Sequence, residues 1–134
     1  MSKNASFVLD ASALLALFNQ EKGWEEVERV ISRDDAVICM SAINYAEVLS
    51  KVIARGETLD AIINDVRTLD IRIIDFDSVL AEQVGILKPR VASWGLSLGD
   101  CACLVLARHL DATALTADTA WAHLAKSYRI MFIR

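Results

Sequence analysis

Five short, largely apolar runs, at residues 7–9, 36–40, 71–74, 112–116 and 129–133, alternate with longer segments of helical periodicity. This alternation narrows the possible folds to a few. Strands that lack a polar face must be covered on both sides, and in an alternating chain that means a parallel sheet with helices above and below. The expectation is an α/β fold: a three-layer α/β/α sandwich around a central, mostly parallel sheet. With 134 residues the chain is long enough for one core and too short for two ordinary domains, so residues 1–134 read as a single domain.

Local signals place the helices. Residues 11–18 are rich in Ala and Leu, and residues 24–33 put Trp24, Val27, Val30 and Ile31 on one face opposite Glu25, Glu26, Glu28 and Arg29. Ser41 is placed to cap a helix that runs to about Arg55 and stops at Gly56, and Thr58 to cap another that runs through Leu69. Asp77 or Ser78 starts a helix that Pro89 is expected to end. Residues 90–96 read as a loop, Ser97 opens a strongly apolar helix to about His109, and a last helix is expected over 119–126.

Four acids stand at the junctions of these elements: Asp10, Glu47, Asp100 and Asp118. Asp10 and Asp118 follow strands, while Glu47 and Asp100 are read in the first turns of helices, so one edge of the sheet can receive all four. Like charges about 4 Å apart repel by roughly 1 kcal/mol in water and roughly 4 at an effective dielectric near 20, so a fold that gathers them implies a divalent cation. Each acid also has a plainer reading. Asp10 and Asp118 suit helix caps, Ser97-Leu98-Gly99-Asp100 has the spacing of a capping box, and Glu47 stands four residues before Lys51 as in a surface ion pair.

The remaining polar residues offer less. His109 and His123 lie near helix ends with no nucleophile beside them, and Asp75 and Asp77 read as a turn and a cap. There is no glycine-rich phosphate loop and no Ser/His/Asp set. Cys39, Cys101 and Cys103 read as buried thiols, and Trp24, Trp94 and Trp121 as core or interface residues. A net charge of −4 and a pI near 5.1 argue weakly against a nucleic-acid partner, although acids concentrated in a metal site lower the pI without removing basic patches elsewhere. No apolar run approaches the roughly 20 residues of a membrane span. Lys3 before an apolar stretch is how a secretory signal begins, but Asp10 interrupts that stretch, and a cytoplasmic location is expected.

Four motifs in register carry a resemblance. They are Phe7-Val8-Leu9-Asp10-Ala11-Ser12-Ala13-Leu14-Leu15-Ala16-Leu17, Ser41-Ala42-Ile43-Asn44-Tyr45-Ala46-Glu47-Val48, Leu96-Ser97-Leu98-Gly99-Asp100 with Cys103-Leu104-Val105-Leu106-Ala107 behind it, and Leu115-Thr116-Ala117-Asp118-Thr119-Ala120-Trp121. The chain thereby resembles the PIN-domain ribonucleases, and within them the VapC-type toxins of toxin-antitoxin pairs. The resemblance implies RNA cleavage with Mg²⁺ or Mn²⁺, an acidic quartet at Asp10, Glu47, Asp100 and Asp118, and supporting hydroxyls at Ser12 and Thr116. It also implies a small antitoxin partner and a homodimer. Asp10 and Asp100 are the expected direct ligands, with Glu47 and Asp118 acting through water or completing a second site when substrate brings phosphate oxygens. Lys51, Arg55, Lys88 and Arg90 are the candidate RNA phosphate contacts. Cys101 departs from the pattern, since many relatives are basic there. The other readings are a non-catalytic PIN-like module that binds RNA or protein, and a housekeeping RNA-processing nuclease.

Overall fold

The computed structural model describes residues 5–134, so Lys3 lies outside the described residues. Five strands, β1 (Ala5–Leu9), β2 (Ala36–Ser41), β3 (Ile71–Ile74), β4 (Thr113–Thr116) and β5 (Ile130–Phe132), form one sheet in the order β3-β2-β1-β4-β5. Every pairing is parallel. The connections are α1 (Ala11–Asn19), α2 (Trp24–Ile31), α3 (Ala42–Ala54), α4 (Leu59–Thr68), α5 (Ser78–Val91) and α6 (Leu98–His109), with 3-10 turns at Ala92–Trp94 and Thr119–Leu124. Among the described residues no helix is long and apolar enough to cross a membrane.

Because side chains alternate along a strand, each strand feeds two cores. Phe7, Leu9, Ile38, Met40 and Leu115 face one side, where they meet Leu14, Val27, Val48 and Ile62 of α1 to α4. Val8, Cys39 and Ala114 face the other, against Leu80, Val84 and Leu104 of α5 and α6. The chain steps outward from β1 to β2 to β3, then returns through α5 and α6 to place β4 on the far side of β1. Crossovers of one hand put helices on opposite faces when the direction of travel reverses, and this produces the three layers. The reversal also creates a switch point between the carboxyl ends of β1 and β4, where this class of sheet opens a crevice.

Two elements differ from expectation. α5 does not end at Pro89 but continues to Val91. Proline removes the hydrogen bond to the carbonyl four residues back, here that of Gly85. Both residues are exposed, so that carbonyl is open to solvent, while Val84, Leu87 and Val91 hold the helix to the core. The final helix is a 3-10 turn, because its two buried residues, Trp121 and Leu124, are three apart and eclipse in that geometry.

Leu104 is 0% exposed and Leu98 57%. Leu104→Ala should therefore lower the unfolding free energy by about 2–5 kcal/mol, whereas Leu98→Ala should stay within about 0.5 kcal/mol. Urea denaturation of both variants checks this.

Candidate active site

Asp10 is the first residue after β1 and is only 4% exposed. It caps α1, its Oδ1 accepting from the Ala13 N–H (2.8 Å) and from the Ser12 hydroxyl (2.7 Å). Across the switch point the Thr116 hydroxyl, at the end of β4, donates to Oδ2 (2.6 Å). The same hydroxyls bind the next segment: Ala117 N–H donates to Ser12 Oγ (2.9 Å) and Asp118 N–H to Thr116 Oγ1 (3.0 Å). Ser12 and Thr116 thus hold Asp10 and Asp118 in a fixed relation. Burial pushes the Asp10 carboxyl up to about 6 despite the Thr116, Ser12 and Ala13 hydrogen bonds, and the Asp100 charge adds to the rise.

Asp100 is both cap and site candidate. Its N–H donates to Ser97 Oγ (3.1 Å) and its Oδ2 accepts from the Ser97 N–H (2.8 Å), completing the capping box expected from the spacing. Burial raises its carboxyl, the Ser97 hydrogen bonds oppose that, and the Asp118 charge reinforces it. Asp118 caps the 3-10 turn through Oδ1, which accepts from the Ala120 N–H (2.9 Å). Glu47 stands in the second turn of α3, not the first, because α3 begins at Ala42. It forms no ion pair with Lys51 among the described residues; instead the Asn44 amide donates to its Oε1 (2.8 Å).

The acids share one electrostatic neighbourhood. Asp10 feels Asp100, Asp100 feels Asp118, and the Cys103 thiol is pushed well up by burial and further by Asp10, Asp100 and Glu47. Asp100, Asp118 and Glu47 are each anchored through one oxygen; Oδ1, Oδ2 and Oε2 respectively accept nothing from the described residues. Even so, no three His, Cys, Asp or Glu side chains among the described residues stand close enough to enclose a metal ion. The arrangement suits an ion that needs little enclosure. Carboxylate and hydroxyl oxygens are hard donors, and Mg²⁺ takes one or two carboxylates while keeping several waters.

The four candidate cations are dispersed. Lys51 and Arg55 are exposed near the end of α3, while Lys88 lies close enough to the first turn of α6 for its charge to act on the Cys101 thiol. Arg90 lines a different feature, a groove of about 300 Å³ between α5 and α6 with Ile86, Arg108 and Tyr128, which none of the four acids borders. All three cysteines are buried free thiols. Trp121 is wholly buried with its indole N–H unpartnered, and the exposed His123 stacks on Trp94 at 4.7 Å. Asp77 caps α5, as expected. Sequence reasoning missed Asn44 and Gly99, both in contact with Glu47; the one signal was a glycine inside a helix, where alanine is otherwise preferred.

A five-stranded parallel sheet with acids at its switch point defines the class, and the chain belongs to the PIN-domain family, whose profile matches residues 7–127. In fold it is similar to VapBC-1 from nontypeable Haemophilus influenzae (15% identity, TM-score 0.70, covering 96% of this chain and 98% of that one). It is likewise similar to VapBC2 from Rickettsia felis bound to a promoter DNA fragment (17%, 0.70, 95% and 98%). A third such structure is VapC20 of Mycobacterium tuberculosis, described as a sarcin-ricin loop cleaving toxin (18%, 0.73, 91% and 95%). No curated protein matches in sequence.

The raised Asp10 carboxyl sets a pH dependence. The native state holds a proton up to about pH 6, whereas the unfolded chain releases it near 3.8. Stability from this group is therefore full below the lower value and is lost as pH rises through the higher one, by about 3 kcal/mol in all. In metal-free protein, the unfolding free energy of wild type relative to Asp10→Asn should fall by about that amount between pH 4 and pH 7, as measured by urea titration at each pH.

Proposed function

We propose that the protein is a metal-dependent endoribonuclease that hydrolyses phosphodiester bonds of RNA, and that it is the toxin of a toxin-antitoxin pair. The observation that carries this reading is Asp10, desolvated at the switch point and oriented by Ser12 and Thr116, with the charge of Asp100 acting on it and that of Asp118 acting on Asp100. Family membership and the likeness to VapBC folds support it. Asp10 and Asp100 would hold Mg²⁺ or Mn²⁺ directly, and Glu47 and Asp118 through water. Bound there, the ion supplies an acidified water and positive charge for phosphate oxygens.

The chain's own residues set the conditions. Three hydrogen bonds fix the Asp10 carboxylate in one orientation, so it cannot turn away from an incoming phosphate. Ser97 does the same for Asp100 through the capping box, and the open oxygens of Asp118 and Glu47 are available to accept hydrogen bonds from ion-bound water. Lys88, whose charge acts on the first turn of α6, would meet a phosphate there, with Lys51, Arg55 and Arg90 as further candidate backbone contacts. Single-stranded or looped RNA bends into an acidic crevice more readily than a duplex. A small antitoxin partner belongs to the reading, supported by neighbours that are VapBC structures; a homodimer, implied by the family resemblance, and a cytoplasmic location are part of the same proposal.

Purified protein with Mg²⁺ or Mn²⁺ should cleave single-stranded RNA. Asp10→Asn should fold and lose at least about 100-fold in rate, equivalent to roughly 2.7 kcal/mol of barrier. Equal cleavage by variant and wild type in a gel assay would contradict the assignment.

A further inference from the structure

Two residues outside the acidic set hold Glu47 in place. Asn44 is 1% exposed and lies three residues before Glu47 on α3. Its Nδ2 donates both to Glu47 Oε1 (2.8 Å) and to the carbonyl oxygen of Gly99 (3.0 Å), so one amide ties α3 to the first turn of α6. Gly99 directly precedes Asp100, and a Cβ there would fall 2.5 Å from Glu47 Oε1, 2.8 Å from Cδ and 2.9 Å from Oε2. The Glu47 carboxylate lies against a bare α-carbon.

We propose that Asn44 and Gly99 are positioning residues that seat Glu47 beside Asp100, so that both acids serve one cation; this rests on the reading of the acids as a cation site. Gly99 is not explained by fold stability. Gly99 is helical and not in the left-handed region, so its backbone does not require glycine, and alanine there would favour the helix. The space is what requires it. Asn44 faces two acceptors with its NH₂ and leaves Oδ1 buried without a partner. Turning the amide over would set Oδ1 against two oxygens, so the orientation is fixed by Glu47 and Gly99 and is kept at the expense of a stranded acceptor.

The atoms a methyl at position 99 would displace belong to the far end of a flexible side chain, so Gly99→Ala should move the acid and spare the fold. Full-length wild type, Gly99→Ala, Asn44→Ala, Glu47→Gln and the double variant Gly99→Ala/Glu47→Gln are compared by metal-free thermal melting, Mn²⁺ calorimetry and RNA cleavage. Gly99→Ala should melt at or above the wild-type temperature. It and Asn44→Ala should bind Mn²⁺ about tenfold more weakly, in the range seen when a group that orients a ligand is removed. The double variant should bind no more weakly than Glu47→Gln, because Gly99 acts only through that carboxylate. In cleavage, kcat should fall and KM change little.

Wild-type Mn²⁺ affinity in Gly99→Ala, a lower melting temperature, or losses that add to those of Glu47→Gln would overturn the proposal. If the expected Mn²⁺ coupling holds but no RNA is cut, the nuclease reading fails and the positioning role stands. If wild type cleaves RNA while Gly99→Ala keeps its kcat and Mn²⁺ affinity, the positioning role fails and the nuclease reading stands.

Discussion

A carboxylate buried between two strand ends governs the architecture of this site. Asp10 has almost no access to water, carries no cationic partner among its hydrogen bonds, and is held by two hydroxyls and one backbone amide. Those bonds favour the ionised form, yet desolvation outweighs them and the carboxyl still rises to about 6. A residue that existed only to cap α1 would sit in water and avoid that cost. Asp100 nearby adds to it. Strongly perturbed carboxylates cluster at functional sites, and under the proposed reading a bound cation would offset this cost.

The rest of the chain can be read as the means of making that place. β1 and β4 are neighbours only because the chain reverses direction after β3, and the reversal sends α5 and α6 to the opposite face of the sheet. β1 delivers Asp10, β4 delivers Thr116 and then Asp118, and the start of α6 delivers Asp100. Glu47 comes from α3, on the other side of the sheet from α6 for most of its length, which is why it needs the Asn44 bridge to the Gly99 carbonyl. The site is thus built where layers meet, and small changes in helix docking would register there first.

How much of this the sequence reveals depends on how local each interaction is. Asp10, Asp100, Asp118 and the Ser97 capping box are legible because their anchoring partners lie two or three residues away. The alternation of strands and helices is legible for the same reason, since periodicity is a property of neighbours. The Thr116 hydroxyl reaching Asp10 across 106 positions, and Asn44 reaching Gly99 across 55, are set by strand order and helix docking, which no short window encodes. The Thr116 role is visible only through the family resemblance, and the roles of Asn44 and Gly99 only in the folded chain. Pro89 misleads for a different reason: it lies in the last turn of α5, where the one carbonyl it leaves unpaired is open to solvent and the buried Val91 still anchors the helix end.

If the acids at the switch point share one divalent cation, anomalous diffraction will locate it. Crystals equilibrated with Mn²⁺ and measured at the manganese absorption edge should show a peak in contact with both Asp10 and Asp100, with Glu47 and Asp118 linked to it through water. A peak elsewhere on the molecule, or none at these carboxylates at saturating Mn²⁺, would rule out a shared cation at the switch point.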